Sequence, residues 1–176
     1  WSQFAEQHPS YRMSDDREVR CYALLIDHIK GTAPAAVADD VRSNWYAIRD
    51  ADDGCTHAAR ELYGYKKLSA LDVWRKARLG VEANRPRVVR SAVEIVSPES
   101  LPQLKDVLDA PSKYLISRAT AAGKARQELI VLALLKLATS DPDDAARQLD
   151  SKWSVHLSPE ERNWAWGVIG KTAAQK

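Results

Sequence analysis

Two cysteines are the residues whose type and spacing most constrain the chemistry of this sequence. Cys21 and Cys55 are 34 positions apart with one predicted helix between them, and they can meet if helices stack in pairs. A disulfide closing this loop would stabilise the fold by about 3–4 kcal/mol. The residues equally allow two buried free thiols in a cytosolic helical protein. No second pair of cysteines or histidines stands at ligand spacing, and we expect no metal site.

Histidines and paired carboxylates are the other candidates for acid–base chemistry. The histidines are scattered, without metal-ligand or catalytic spacing: His8, His28, His57 and His156. Glycoside hydrolysis needs two carboxyl groups about 5–9 Å apart in a cleft, whereas adjacent residues of a helix point in different directions. We interpret the adjacent acids as capping and solvating charges: Asp15–Asp16, Asp39–Asp40, Asp52–Asp53, Asp143–Asp144 and Glu160–Glu161. A glycine-rich phosphate loop and a nucleophile elbow are missing, and no cofactor is expected.

A basic cluster in the middle of the chain is the best candidate for binding. Residues 62–136 carry fourteen Lys and Arg against seven Asp and Glu, although the net charge of the chain is only +2. The cluster is either a solvated face between two helices or a cationic wall that attracts an anionic polymer. Its members are Arg75, Lys76, Arg78, Arg85, Arg87 and Arg90. Aromatic residues for base stacking are not interleaved with it, and we expect no nucleic-acid partner.

Five tryptophans could offer platforms for sugar rings or could fill a core. Helical spacing favours core positions for Trp45, Trp74 and Trp153. Trp164 and Trp166 cannot both face the core of one helix, and one of them is expected at a further contact.

The elements that position these residues are predicted to be helices throughout. The chain has 176 residues, 45% of them hydrophobic and 28% charged, with many Ala, Leu and Arg residues that favour helix. No apolar run approaches the roughly 20 residues of a membrane span. Apolar residues at helical spacing predict ten helices: from the Ser14–Asp15 cap to 30, from Thr32 to 48, 56–67, from Ser69 to 84, 88–96, 98–108, 111–121, 124–139, 143–153 and 159–172.

The fold class predicted from these helices is all-α. Taken in pairs they recur every 30 or so residues, within the range of helical-repeat arrays. We therefore expect residues 1–176 to form a single helical-repeat segment, an irregular right-handed superhelical solenoid of about ten antiparallel helices stacked in pairs. The β-branched stretch 88–96 would also suit a strand, but its 3.6-residue period favours helix.

Landmarks around the two cysteines resemble a known family. Residues 16–23 (Asp-Arg-Glu-Val-Arg-Cys-Tyr-Ala), the later Gly54-Cys55 with apolar Leu62, and residues 68–78 around Trp74-Arg75 are similar to the helical U-shaped domain of soluble lytic murein transglycosylases. Trp1 resembles the start of the helix that precedes the first cysteine in that family. The recognisable landmarks cover residues 1 to about 96, and helix pairs continue beyond them.

The resemblance implies a fold, a disulfide and a compartment. In that family the helical domain winds into a ring or horseshoe, and the cysteines that correspond to Cys21 and Cys55 form a disulfide in the periplasm. A separate lysozyme-like domain cleaves peptidoglycan between N-acetylmuramic acid and N-acetylglucosamine and leaves a 1,6-anhydro end. Its signature is a Glu-Ser pair followed by Gly-Leu-Met-Gln.

The present chain lacks that catalytic signature. Its one methionine is Met13, and Glu99-Ser100 lies between two prolines at a helix start, where an acid favours the helix dipole. We therefore expect a non-catalytic periplasmic scaffold segment, excised from a longer chain that supplies the catalytic domain and any contact with the outer membrane. Its partner would be peptidoglycan glycan strands, approached through Arg75, Arg78, Arg85, Arg87 and Arg90. The alternative is a helical-repeat adaptor that binds protein partners.

Overall fold

The computed structural model describes residues 16–33 and 35–176, and in this part of the chain all regular secondary structure is helical, with no strand. This confirms the all-α prediction. Trp1, His8, Met13 and the Ser14–Asp15 cap lie outside the described residues. The α-helices are α1 Arg17–Ile29, α2 Val37–Ala47, α3 Gly54–Gly64, α4 Ala70–Glu82, α5 Pro86–Val96, α6 Leu101–Asp109, α7 Pro111–Ser117, α8 Lys124–Ser140, α9 Pro142–Gln148 and α10 Pro159–Ala174.

Side-chain hydrogen bonds cap the N-termini of several of these helices at the positions where the sequence predicts a helix start. Ser69 and Ser158 each form a capping box with the acid three residues later, at the starts of α4 and α10. Asp141 accepts a hydrogen bond from the backbone of Asp144 at the start of α9. These bonds satisfy backbone N–H groups that have no partner within the helix.

Most predicted helix bounds differ from the structure by three residues or fewer, but three predicted helices differ by more. The Thr32 hydroxyl donates to the Asp27 carbonyl and closes the end of α1, so that α2 begins only at Val37. Helix α7 ends at Ser117 because Arg118 is extended. The predicted helix over 143–153 is divided into α9 and a π-helical turn, Leu149–Trp153.

The first and third helices run parallel to each other. The Glu18 carboxylate near the start of α1 accepts a hydrogen bond from the backbone N–H of Gly54, the first residue of α3. Near the other ends, the His28 and Tyr65 rings meet edge to face with centroids 5.0 Å apart. The start of α1 thus contacts the start of α3 and the end of α1 contacts the end of α3, so the two helices are parallel.

Helices α2 and α4 are parallel by the same criterion. The Arg42 guanidinium on α2 donates a hydrogen bond to the Asp72 carboxylate near the start of α4, at 3.2 Å. One turn further along α4, the Lys76 ammonium donates to the carbonyl of Ile48, just after the end of α2, at 2.7 Å. The intervening helices α1, α3 and α5 pack against this pair from the other side. Alternate helices thus form two layers in the first half of the chain.

Helix α8 is the buried centre of the second half. It packs against α4, α6, α7, α9 and α10, and every residue from Glu128 to Leu135 is buried. Contacts such as Arg78–Glu128 and Asn84–Lys136 show that α8 runs parallel to α4. Since α8 contacts helices well beyond its sequence neighbours, packing here extends past adjacent pairs.

Candidate functional site

The disulfide between Cys21 and Cys55 joins α1 to α3 beside the Glu18–Gly54 contact. The S–S distance is 2.01 Å, the Cα atoms are 4.9 Å apart, and neither residue is exposed. This confirms the pairing implied by the family resemblance. The Asp52 carboxylate accepts a hydrogen bond from the Cys55 backbone at 2.6 Å, and burial raises the pKa of this carboxyl despite that bond.

The predicted basic patch is divided by the structure, and Arg78 does not belong to its surface. The Arg78 side chain is 0% exposed. Its guanidinium donates to both oxygens of Glu128, at 3.0 and 2.6 Å, and to Glu160 on α10 at 2.7 and 2.9 Å. Placing Arg78 on a glycan-facing surface is therefore wrong, because two carboxylates hold it inside the protein.

The carboxylates around Arg78 form one network across α4, α8 and α10. Lys124 bridges Glu128 at 3.0 Å and Glu161 at 3.4 Å, and both of these carboxylates are fully buried. Burial opposes the charge of Glu160, but hydrogen bonds and attraction from Arg78 lower its pKa overall. Arg75 also contacts Glu160, at 3.5 Å. The contacts Arg78–Glu160 and Glu82–Trp164 advance together along α4 and α10, so α10 is parallel to α4 as well. The network therefore fixes the register of three parallel helices.

Lys76 has a structural role at the end of α2. Its side chain is buried, and its ammonium donates to the carbonyls of Trp45, in the last turn of α2, and of Ile48, just after it. Carbonyls at this end of a helix have no backbone partner within it. Burial lowers the pKa of Lys76 to about 8, although Asp52 counteracts part of this effect. Lys76 lines a cavity of about 340 Å³ together with Arg49.

The other arginines of the predicted patch differ in availability. Arg85 is half-buried and pairs with Asp50, whose pKa that hydrogen bond lowers. Arg87 and Arg90 lie exposed on α5, and neither has an ion-pair partner within the described part of the chain. Of the predicted basic cluster, Arg87 and Arg90 are therefore the exposed cations without an ion-pair partner among the described residues.

The Glu99-Ser100 pair lies in a short 3-10 helix, Pro98–Ser100, that precedes α6. The Ser97 hydroxyl donates to the Glu99 carboxylate at 2.7 Å and also lies 2.7 Å from the Ser100 hydroxyl. The bond from Ser97 lowers the pKa of the exposed Glu99 carboxyl. A general acid requires a raised carboxyl pKa, so this environment is opposite to the one a glycosidase acid needs.

The tryptophans divide as their spacing predicts. Trp45, Trp74 and Trp153 are buried in the core. The Trp164 indole N–H donates to Glu82 at 3.2 Å, and the Arg78 guanidinium stands over the Trp164 ring at 5.1 Å. Trp166 is 39% exposed on the opposite face of α10, where a further contact is expected.

A cleft that the sequence did not reveal lies between α6, α7 and the start of α8. It has a volume of about 280 Å³, and Arg118, Arg126, Tyr114 and Gln103 are among its lining residues. The only available signal was two arginines flanking the short loop 119–123. Their convergence depends on how α7 and α8 meet, which the local sequence does not specify.

Two further kinds of site were sought among the described residues: metal sites and membrane-spanning helices. Among the described residues, no group of three His, Cys, Asp or Glu side chains could hold a metal ion. No helix of that same part of the chain is both long enough and apolar enough to cross a membrane.

No protein-family model matches the chain, and no curated protein matches it.

Proposed function

We propose that this chain is a non-catalytic scaffold segment of a periplasmic lytic transglycosylase. The observation that carries the proposal is the disulfide joining Cys21 to Cys55. It links the two helices at the two sequence landmarks on which the family resemblance rests. A disulfide is also typical of a protein from an oxidising compartment and rare in the cytosol.

The proposed role is to shape a ring that guides glycan strands and positions a catalytic domain supplied by the parent chain. In the first half of the chain, parallel alternate helices in two layers suit an irregular right-handed superhelical solenoid, in which each added helix pair extends a curved wall. The Arg78 network would keep that wall stiff, because it fixes three parallel helices relative to one another. A stiff wall is what a positional role requires.

Peptidoglycan strands are the proposed partner, and Arg87 and Arg90 on α5 are the cations available to their peptide carboxylates. Exposed Arg side chains attract an anionic polymer without needing a closed pocket. The parent chain would hold the catalytic domain and any contact with the outer membrane.

The first experiment measures the thiol state of chain secreted to the periplasm. Mass spectrometry of unreduced protein should find no free thiol. Two free thiols would overturn the proposal and favour a cytosolic adaptor.

The second experiment incubates the purified chain with peptidoglycan sacculi. We expect cosedimentation that weakens in Arg87→Gln/Arg90→Gln, with Arg20→Gln/Arg60→Gln as a control that removes the same charge from α1 and α3. We also expect no release of anhydro-muropeptides. Release by pure chain would contradict the non-catalytic role, and absence of cosedimentation would contradict the glycan partner.

A helical-repeat adaptor for protein partners is the second candidate. Ile29 and Tyr65, each about two-thirds exposed, lie near the adjoining ends of α1 and α3. Exposed apolar side chains of this kind could belong to a protein-binding surface that a partner completes. Free thiols together with no affinity for sacculi would favour this function.

A further inference from the structure

The side chains that line the cleft between α6, α7 and α8 carry only positive charge. Two guanidinium groups, Arg118 and Arg126, line a cavity of about 280 Å³, and no carboxylate is part of that lining. Neither arginine has an ion-pair partner anywhere in the residues that the structure describes. Arg78 and Lys124, by contrast, are each paired with glutamates. The cleft is therefore a site of uncompensated positive charge.

Both arginines act on the same phenol group. Burial raises the pKa of Tyr114, while Arg118 and Arg126 each partly offset this by attracting the phenolate form. The Arg118 guanidinium also stands over the Tyr114 ring at 4.8 Å. Asp106 is close enough to raise the pKa of Tyr114 further, but it does not line the cleft. The two cations thus converge on one small region.

Neutral hydrogen-bonding groups surround this pair of cations. The Gln103 amide and the Ser117 and Thr120 hydroxyls share the lining. The Ser117 hydroxyl donates to the Tyr114 carbonyl at 3.0 Å, and its oxygen can still accept one bond. Arg126 lies in the first turn of α8, which no side chain caps, and the partial positive charge of that helix end adds to the local field.

We propose that this cleft binds a small oxyanion, the carboxylate or phosphate group of a compact ligand, held by Arg118 and Arg126. Arginine side chains suit both groups, because the planar guanidinium matches two oxygens at once. A volume of about 280 Å³ lies just below the range of about 300–1,000 Å³ that is typical of small-molecule sites, so the ligand must be compact. The site lies apart from α5, and the proposal does not rest on the function proposed above.

The test is an NMR and calorimetric titration of the whole chain at low ionic strength with three probes. Inorganic phosphate represents the phosphate source. N-acetylmuramic acid represents the carboxylate source, and N-acetylglucosamine is the same sugar without the lactyl carboxylate. We expect saturable shifts around residues 117–126 with phosphate, with N-acetylmuramic acid, or with both, and none with N-acetylglucosamine.

Variants separate this site from general charge attraction. Arg118→Gln/Arg126→Gln should lower the affinity for the bound probe by about tenfold or more, because it removes both charge-assisted hydrogen-bond donors. Arg20→Gln/Arg60→Gln removes the same charge elsewhere and should leave the affinity unchanged. Binding of neither anion overturns the proposal. Equal binding of both sugars, or binding that survives loss of both cleft arginines, also overturns it.

Discussion

The Arg78 guanidinium and the Glu128 carboxylate face each other with no exposed surface on either side chain. Two hydrogen bonds of 3.0 and 2.6 Å join them across 50 residues of sequence. The same guanidinium bonds Glu160, so one side chain of α4 holds both α8 and α10. Burial disfavours its charge, but these bonds to Glu160 and Glu128 raise the pKa of Arg78 overall.

Loss of Arg78 should destabilise the fold strongly. Arg78→Met leaves Glu128 buried without its main counter-charge, and breaking a buried pair in this way costs about 3–5 kcal/mol. Urea unfolding followed by circular dichroism measures the effect. Arg75→Met is the matched control, since Arg75 is partly exposed and contacts Glu160 at 3.5 Å; it should cost less than about 1 kcal/mol. Similar losses for both variants would contradict the assignment.

The disulfide should contribute measurably to stability. Cys21→Ala/Cys55→Ala removes a crosslink that spans 34 residues, and the loop-entropy estimate is about 3–4 kcal/mol. The difference between the variant and the oxidised protein is read from urea midpoints. Addition of a reductant provides an independent control, because it should lower wild-type stability and leave the variant unchanged. Equal stability of oxidised and reduced wild type would contradict the prediction.

Features with local causes were predictable from the sequence, and features with distant causes were not. Ser69 and Ser158 cap helices through acids three residues away, a pattern visible in the sequence alone. Arg78 follows the inward-facing Ala77, but its burial depends on Glu128 and Glu160, which lie 50 and 82 residues further on. No residue near Arg78 in the sequence indicates that Glu128 and Glu160 are its partners.

The candidate sites show the same division. The Cys21–Cys55 pairing came from a family resemblance, because spacing alone left free thiols equally open. Exposure of Arg87 and Arg90 follows from the apolar face of α5, which local periodicity defines. The cleft of Arg118 and Arg126 forms only where α7 ends early and α8 begins, and that break was predicted four residues too late.

Stability should pass through a maximum near pH 10. Burial lowers the pKa of Lys76 to about 8 from 10.5, so between these values the unfolded chain binds more protons and stability rises with pH. Burial and Asp72 raise the pKa of Tyr46 to about 12 from 10.0, despite opposing arginines. Above pH 10 the unfolded chain loses this proton first, and stability falls.

Urea unfolding between pH 7 and 12 tests this, and each variant isolates one limb. Lys76→Met should flatten the rise between pH 8 and 10.5, and Tyr46→Phe should flatten the fall above pH 10. The rise and the fall in the free energy of unfolding each amount to about 3 kcal/mol. A wild-type profile that both variants reproduce would show that other groups cause the pH dependence.

Two glycine-to-alanine substitutions should have opposite signs. A Cβ on Gly54 would collide with Glu18 Cγ, and it would lie 2.8 Å from both the Glu18 carbonyl oxygen and a Tyr22 ring carbon. The carbonyl cannot move without shifting α1 away from α3 beside the disulfide, and overpacking of this kind costs about 1–3 kcal/mol.

Gly167 lies inside α10 with no heavy atom within 4 Å of an added Cβ. Gly167→Ala should therefore stabilise by about 0.5–1 kcal/mol through helix propensity. Urea midpoints of the two variants compare them directly, and a stable Gly54→Ala protein would show that α1 and α3 are not in close contact.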